Sequence, residues 1–444
     1  DVCSSDLEMG GKSVSGKAGA DGRFDVSLPE LPAGGPHVLT VRADETRTIN
    51  DVLVGEVWIC SGQSNMQWSV NASNDPDLEK LAAKFPNIRM INFPQVGTQD
   101  PILSHDDRRW MVCNPENLGG FSAVGYFFAR QLHLTIDVPI GMINNAWGGS
   151  ACEAWVNRDV LKANEKFAPM MARWEAQEKQ FAELSGNNSL NDDQKKALEG
   201  LKRQMTGNSR PANIYNGVLK SHLGYTIRGA IWYQGESNHT EGMLYLEKMK
   251  ALVGGWRALW GREFPFYYVQ IAPFNYGSQD PTVLAQFWEA QAAAQQAIPH
   301  SGMVVINDIA TLNDIHPPNK QDVGQRLALW ALKHDYGREE LVAAGPEAER
   351  LESADGVLKV HFRNAAGGLK SRDGKPLSHF EIIGPGSGGF HPAEAVIEGP
   401  STVVLRSAKV AQPTAVRFAW HLLAEPNLSG GTGLPTGAFR LGEV

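Results

Sequence analysis

The chain has 444 residues, of which 42% are apolar and 20% charged, and its net charge is −8. This length predicts two or three globular domains. The negative balance, without clustered lysine and arginine, argues against a nucleic-acid partner, and no stretch approaches the roughly 20 apolar residues that cross a bilayer. None of the 4 cysteines forms a CxxC pair, so neither a zinc nor a redox motif is indicated.

Residues 1–54 have a β character. Apolar and polar residues alternate over 24–28 and 37–41, and the prolines and glycines between 29 and 36 predict a turn. Two or three strands do not make a stable sheet alone, so we expect this region to pack with or beside strands of the C-terminal part. The first seven residues lack the charged and apolar regions of a signal peptide and do not resemble a natural start.

Residues 55–340 alternate between apolar runs and helical patterns. The runs do not alternate with polar residues, which is typical of strands covered on both faces; they lie at 57–60, 88–93, 138–143, 229–233, 265–271 and 303–306. Helices are predicted over 123–134, 240–260 and 319–335, and after the N-cap Asp280. This order predicts a parallel, doubly wound α/β sheet.

Two further regions flank or interrupt that pattern. Residues 160–206 are rich in Glu, Lys, Gln and Asn, which predicts a surface helical hairpin inserted into the α/β domain. Residues 341–444 return to a β pattern, with short strands predicted over 357–362, 380–383, 402–405 and 415–420. Short, evenly spaced strands with Gly and Pro between them predict a β-sandwich-like region.

The most informative stretch joins the first buried strand to a polar turn. The run Val-Trp-Ile-Cys at 57–60 stops at Ser-Gly-Gln-Ser, which places Ser64 just past the carboxyl end of a strand. Ligands bind at that edge of open α/β sheets. A hydroxyl on a tight turn there is well placed to act as a nucleophile, although an ordinary polar turn is the alternative interpretation of this stretch alone.

Four stretches, taken in chain order, carry a more specific pattern. They are Gly-Gln-Ser-Asn-Met at 62–66, Asn-Asn-Ala-Trp-Gly-Gly-Ser at 144–150, Trp-Tyr-Gln-Gly-Glu-Ser-Asn at 232–238 and Asp-Ile-His-Pro-Pro-Asn-Lys at 314–320. Together they resemble the sialate O-acetylesterase family, within the SGNH hydrolases, over most of residues 51–335. The resemblance implies an SGNH-type three-layer α/β/α domain. It also implies a serine esterase that removes acetyl groups from carbohydrates through an acyl-enzyme, without a metal or organic cofactor.

The resemblance and the chemistry together assign the catalytic roles. Ser64 is the predicted nucleophile, and it needs a base because a free hydroxyl is a weak nucleophile. His316, which precedes two prolines and a predicted helix, is the predicted base. Two residues are candidates for the acid that orients this histidine: Asp314, which we favour, and Glu236. Many SGNH hydrolases have an aspartate three positions before the histidine, where this chain has Asn313, whereas related sugar acetylesterases give the role to the glutamate of a Gln-Gly-Glu block.

The oxyanion hole is predicted to combine donors from three blocks. The backbone N–H of Ser64 supplies the first. Glycine lets a backbone N–H approach a ligand closely, so Gly148 or Gly149 supplies the second, and the resemblance favours Gly149. The third is a side-chain amide, from Gln234 or from Asn238, and Gln234 is preferred because it is nearer the end of its strand.

Other polar residues are predicted to support the site. Gln63 and Asn65 flank the nucleophile and would orient its loop through side-chain bonds to the backbone. Asn216 lies in another stretch that resembles the family, where it would brace the site or meet the sugar. A carboxylate partner is expected to raise the pKa of His316 above its ordinary value of about 6.5.

The predicted substrate is an acetylated carbohydrate. The sequence leaves two substrates as alternatives: an O-acetylated sialic acid, as the family name implies, and an acetylated plant polysaccharide such as xylan. A non-catalytic carbohydrate-binding protein on the same scaffold is a second hypothesis, which the 12 tryptophans would fit. A peptidase that uses the same triad is a third. The resemblance implies a periplasmic or extracellular location, and the sequence does not indicate an oligomeric state.

Overall fold

The N-terminal strands form an antiparallel sheet of their own. The structure is a computed structural model that describes residues 4–20, 24–277 and 279–443. The first four strands are β1 (Ser4–Met9), β2 (Lys12–Lys17), β3 (Gly34–Arg42) and β4 (Thr46–Val54), in the order β2-β1-β3-β4. They pair with one another, so their hydrogen-bonded partners come from this region and not from the C-terminal part, where they were expected. The prediction of a strand at 24–28 was wrong, because this segment pairs with no other strand. Alternating apolar and polar residues do not by themselves provide a neighbouring strand.

A seven-stranded sheet forms the centre of the molecule. Its strands are β5 (Glu56–Gly62), β6 (Phe85–Asn92), β7 (Met111–Cys113), β8 (Ile140–Asn144), β9 (Gly229–Tyr233), β10 (Phe266–Val269) and β11 (Ser301–Val304). The order is β11-β10-β9-β5-β8-β6-β7, and every neighbouring pair is parallel except β6 and β7 at one edge. The predicted mixed α/β class with a largely parallel sheet is confirmed, with β7 as an antiparallel edge strand that the sequence did not indicate.

Helices connect these strands and supply the layers on each side. They are α1 (Ser64–Gln67), α2 (Pro76–Ala82), α3 (Pro115–Leu118), α4 (Ala123–Ile136), α5 (Arg158–Ala163), α6 (Ala168–Ser185), α7 (Asp192–Met205), α8 (Asn213–Gly217), α9 (Leu244–Trp260), α10 (Val283–Ala297) and α11 (Lys320–Asp335). The predicted hairpin insertion corresponds to α6 and α7. A capping box, in which the side chains of Asn191 and Gln194 each bond the other's backbone N–H, starts α7.

Large aromatic side chains show which helices cover each face of the sheet. Trp58 on β5 packs edge-on against Phe128 of α4, with ring centroids 5.0 Å apart, and α11 packs along α4 on that face. Trp232 of β9 points to the other face, where it meets Trp256 of α9 at 6.0 Å, and α10 packs along α9. Both faces are therefore covered, which explains why these strands are apolar without alternation.

The C-terminal strands form antiparallel sheets. They are β12 (Glu347–Ala354), β13 (Val357–Arg363), β14 (Leu369–Ser371), β15 (Phe380–Ile383), β16 (His391–Pro392), β17 (Glu394–Glu398), β18 (Thr402–Arg406), β19 (Ala415–Phe418), β20 (Leu428–Gly430) and β21 (Phe439–Gly442). Two sheets have four strands, in the orders β12-β13-β18-β17 and β16-β15-β19-β21, and β14 pairs with β20. The two larger sheets meet where Phe362 and Phe439 pack with ring centroids 5.7 Å apart.

Gly62 ends β5 in a position that only glycine fits. Its φ is +136°, and a Cβ atom there would lie 2.2 Å from the carbonyl oxygen of Tyr233 on β9. We expect Gly62→Ala to lower the free energy of unfolding by about 1–3 kcal/mol, measured by urea denaturation. Gly254→Ala is the matched control, since a Cβ at that position in α9 meets nothing within 4 Å. Equal effects of the two substitutions would contradict this reading of the turn.

Candidate active site

Ser64 and His316 meet at the carboxyl edge of the central sheet. Ser64 is the first residue of α1, which follows β5 directly, and His316 lies in the loop before α11. The Nε2 atom of His316 lies 2.8 Å from Oγ of Ser64, within hydrogen-bond distance. A base at this distance from a hydroxyl can take its proton as the oxygen attacks. The fold thus brings together two residues that the sequence separates by 252 positions.

The imidazole of His316 stacks on the indole of Trp68, a residue that was not predicted to belong to the site. The rings of Trp68 and His316 are 4.2 Å apart at an interplanar angle of 13°. The indole is itself fixed, because its Nε1 donates to the carbonyl of Ala72 at 2.7 Å. Trp68 follows Ser64 by four positions, one helical turn, so this spacing is the signal that could have placed an aromatic ring beside the nucleophile.

The two candidate acids have different surroundings. Oδ1 of Asp314 accepts a hydrogen bond from the backbone N–H of His316 at 2.9 Å and lies 3.9 Å from Nδ1 of its ring. The Asp314 side chain is 58% exposed. Glu236 is buried, and its Oε1 accepts from the Nδ2 of Asn65 at 2.6 Å. Asp314 is therefore an electrostatic neighbour of the ring, whereas the hydrogen bond of Glu236 goes to Asn65.

The surroundings of His316 lower the pKa of its ring. Burial is the largest cause, the charge of Lys320 acts in the same direction, and Asp314 opposes both. The sequence-based expectation of a raised pKa was wrong, because it counted the carboxylate and could not count the burial or the lysine. Desolvation disfavours the imidazolium, and so does a nearby cation.

This shift predicts the pH dependence of the reaction. The imidazole must be neutral to accept the serine proton, so kcat/KM should rise with pH as His316 loses its own proton. Because the pKa is lowered, we expect the midpoint below about 6.5 and the plateau to be reached by neutral pH. A kcat/KM profile on a small acetyl ester from acid to mildly alkaline pH measures this, and a midpoint above neutrality would contradict it.

The turn between β8 and α5 lies beside Ser64, since a Cβ atom on Gly148 would be 3.5 Å from Cβ of Ser64. The N–H of Gly148 donates to Oε1 of Gln67 at 2.7 Å, so it is already occupied. Within the described residues, no oxygen accepts from the backbone N–H of Ser64 or of Gly149. Gly149 has a φ of +71°, a conformation that favours glycine. Nδ2 of Asn208 braces the turn by donating to the carbonyl of Gly148 at 2.6 Å.

The two side-chain amides predicted for the oxyanion hole are engaged elsewhere. Gln234 is fully buried and donates to the carbonyl of Ser150 at 3.0 Å and to Oδ1 of Asn238 at 2.8 Å. Its own oxygen accepts from the hydroxyl of Tyr245 at 2.8 Å. Asn238 donates to the carboxylate of Glu153 at 3.1 Å, and its amide also contacts Glu241. Since both hydrogens of each amide are taken, these residues brace the site and have no free donor for an oxyanion.

The remaining predicted support residues lie in the same region of the fold. Oε1 of Gln63 accepts from the backbone N–H groups of Gly235 and Ser237 at 3.1 and 3.3 Å, which ties the nucleophile turn to the end of β9. Asn216 is buried in α8, and its backbone oxygen accepts from Ile102 at 2.9 Å. In the part of the chain that the structure describes, no group of three or more His, Cys, Asp or Glu residues could hold a metal ion.

The fold and the site together define a class of enzyme. A serine hydroxyl bonded to an imidazole, with backbone donors beside it at the edge of a parallel sheet, is typical of hydrolases that form an acyl-enzyme. Residues 54–187 and 206–333 match the family model described as carbohydrate esterase, sialic acid-specific acetylesterase. The chain belongs to this family and is a carbohydrate O-acetylesterase. No helix in the described ranges is long and apolar enough to span a membrane.

Individual relatives agree with the family assignment. The chain is 30% identical to human (Homo sapiens) sialate O-acetylesterase over 386 residues, covering 79% of this chain and 68% of that protein. It is 28% identical to the Mus musculus sialate O-acetylesterase over 373 residues, covering 76% of this chain and 68% of that protein. Among solved structures, a carbohydrate acetylesterase from Xanthomonas citri matches with a TM-score of 0.86 and 34% identity, covering 100% of this chain and 93% of that one.

Proposed function

We propose that the reaction proceeds through an acetyl-enzyme on Ser64. The observation that carries the proposal is the 2.8 Å hydrogen bond between Oγ of Ser64 and Nε2 of His316. Oγ attacks the acetyl carbonyl while His316 takes its proton, and His316 then gives that proton to the departing sugar oxygen. Water, deprotonated by the same imidazole, releases acetate and restores the serine.

The surrounding groups would stabilise the charges that form during these steps. The N–H groups of Ser64 and Gly149, from which no oxygen of the described residues accepts, would stabilise the tetrahedral oxyanion, and such donors are worth about 10²–10³ in rate each. The Asp314 carboxylate, 3.9 Å from Nδ1, would stabilise the imidazolium that forms when His316 is protonated. The stacked indole of Trp68 would keep the ring facing the nucleophile and favour its cationic form.

Among acetylated carbohydrates, we propose O-acetylated sialic acid as the preferred substrate. The description of the family model and the names of the mammalian relatives support this choice over acetylated xylan. Acetate release from O-acetylated N-acetylneuraminic acid, acetylated xylan and an acetylated neutral monosaccharide would be measured side by side. We expect the highest kcat/KM on the sialic acid ester. A higher value on xylan would assign the enzyme to plant polysaccharide, and binding without acetate release from any of them would favour the non-catalytic hypothesis.

We also propose that the protein acts in the periplasm or outside the cell. Similarity to the sialate O-acetylesterases supports this location. Fractionation of the source cells, with the esterase followed by antibody, tests it. Confinement of the protein to the cytosol would contradict the proposal.

A further inference from the structure

Two charged residues are buried directly behind the Ser64–His316 pair. Lys320, the first residue of α11, is 0% exposed, and Glu236 is 7% exposed. The side-chain amide of Asn65 lies between them. Its Oδ1 accepts from Nζ of Lys320 at 2.5 Å, and its Nδ2 donates to Oε1 of Glu236 at 2.6 Å. Buried charges are costly in free energy unless they are paired and hydrogen-bonded. The presence of both charges beside the active site therefore requires an explanation.

The same amide also holds the loop that carries the base. Nδ2 of Asn65 donates to the carbonyl of Ile315, the residue before His316, at 2.9 Å. An ammonium can only donate hydrogen bonds, so Lys320 requires the oxygen of the Asn65 amide to face it. The nitrogen of that amide must then face Glu236 and Ile315. Lys320 thereby fixes the orientation of the Asn65 side chain. This side chain joins α1, which begins at Ser64, to the loop that carries His316, here called the histidine loop.

We propose that Lys320 is a positioning residue, whose buried ammonium orients Asn65 against the histidine loop and places a positive charge four residues after the base. This inference rests on the proposed function, because it takes His316 as the base. It goes beyond that function by assigning a role to a lysine that need not touch the substrate.

The charges around both groups agree with this role. Burial lowers the pKa of Lys320 to about 7, while Glu236 and Asp314 act to raise it. The ring of Tyr233 also faces the ammonium, 5.2 Å from Nζ. On His316 the charge of Lys320 adds to burial in lowering the pKa, against Asp314. An imidazolium beside the ammonium is therefore disfavoured, and His316 stays available as a base at lower pH.

Lys320→Met tests the proposal, because it keeps an unbranched side chain only one heavy atom shorter and removes the charge and the donor. We expect the acidic limb of kcat/KM against pH to move to higher pH by about half a unit or more, the direction expected when a nearby like charge is lost. On that limb kcat/KM would fall by about threefold at fixed pH. Lys333→Met is the matched control on the same helix, because Nζ of Lys333 donates to the carbonyl of Leu341, away from the site. Its midpoint should equal that of the parent.

Lys320→Met leaves the carboxyl of Glu236 buried without a positive partner, and this could prevent folding. A second variant keeps the test decisive in that case. The double substitution Lys320→Met with Glu236→Gln removes both buried charges, and replacing a buried pair by neutral groups is often tolerated. It should show the same shift of the acidic limb. An unshifted midpoint in whichever variant folds, judged by its thermal transition, overturns the proposal. Ser64→Ala in the same assays separates the two ideas: full activity of that variant would defeat the proposed function itself.

Discussion

Ser64→Ala should lower kcat/KM for acetyl esters by at least about 10⁴-fold and leave the protein folded. Alanine removes the one atom that attacks the carbonyl, and the remaining rate would come from the oxyanion donors and binding alone. The substitution should cost little stability. The hydroxyl bonds to His316, and the backbone bond that closes α1, from the N–H of Trp68 to the carbonyl of Ser64, does not involve it.

Ser61→Ala is the matched control for this experiment. Ser61 is fully buried in β5, three residues before the nucleophile, and its hydroxyl has no partner among the described residues. Its loss should change kcat/KM by less than about threefold, since no hydrogen bond to the site is removed. An activity of Ser64→Ala within about tenfold of the parent would contradict the assignment of Ser64 as the nucleophile. Equal losses in both variants would point to damage of the turn and not to a missing nucleophile.

Much of the fold and of the Ser64–His316 pair could be predicted because the signals are local. A strand that is apolar without alternation, such as 57–60, indicates burial on both faces, and the polar residues after it then lie at the carboxyl edge of the sheet. The blocks that carry Ser64 and His316 both lie at that edge, and so they meet. The edge strand β7 (Met111–Cys113) was not predicted, since three residues carry too little pattern.

The features that sequence did not predict depend on partners distant in the chain. Gln234 is a plausible oxyanion donor until Ser150 and Asn238 are seen to accept both of its hydrogens. Residue type alone does not distinguish Gly148 from Gly149, although the resemblance favours Gly149; the bond from Gly148 to Gln67 shows that the N–H of Gly148 is occupied. The sign of the His316 pKa shift likewise depends on burial and on Lys320, and neither can be read from residues 313–316.

The second large effect is expected from Asp314→Asn, which should lower the plateau of kcat/KM by about 10²-fold. Asparagine keeps an oxygen that can accept from the backbone N–H of His316, so the loop should hold its shape while the ring loses its negative neighbour. A loss smaller than the roughly 10⁴-fold known for a buried triad aspartate is expected, because Asp314 is 58% exposed and 3.9 Å from Nδ1.

Glu236→Gln is the matched comparison and should cost less than about tenfold. Glutamine keeps an oxygen for the bond from Asn65. The carboxylate of Glu236 bonds Asn65 and makes no hydrogen bond to His316 among the described residues, so neutralising it should affect the base less. The pH profile provides an independent test. Because Asp314 raises the pKa of His316, Asp314→Asn should move the acidic limb of kcat/KM to lower pH. This shift is opposite to the one expected for Lys320→Met. A larger loss in Glu236→Gln than in Asp314→Asn, with no such movement of the limb in Asp314→Asn, would transfer the role of the acid to Glu236.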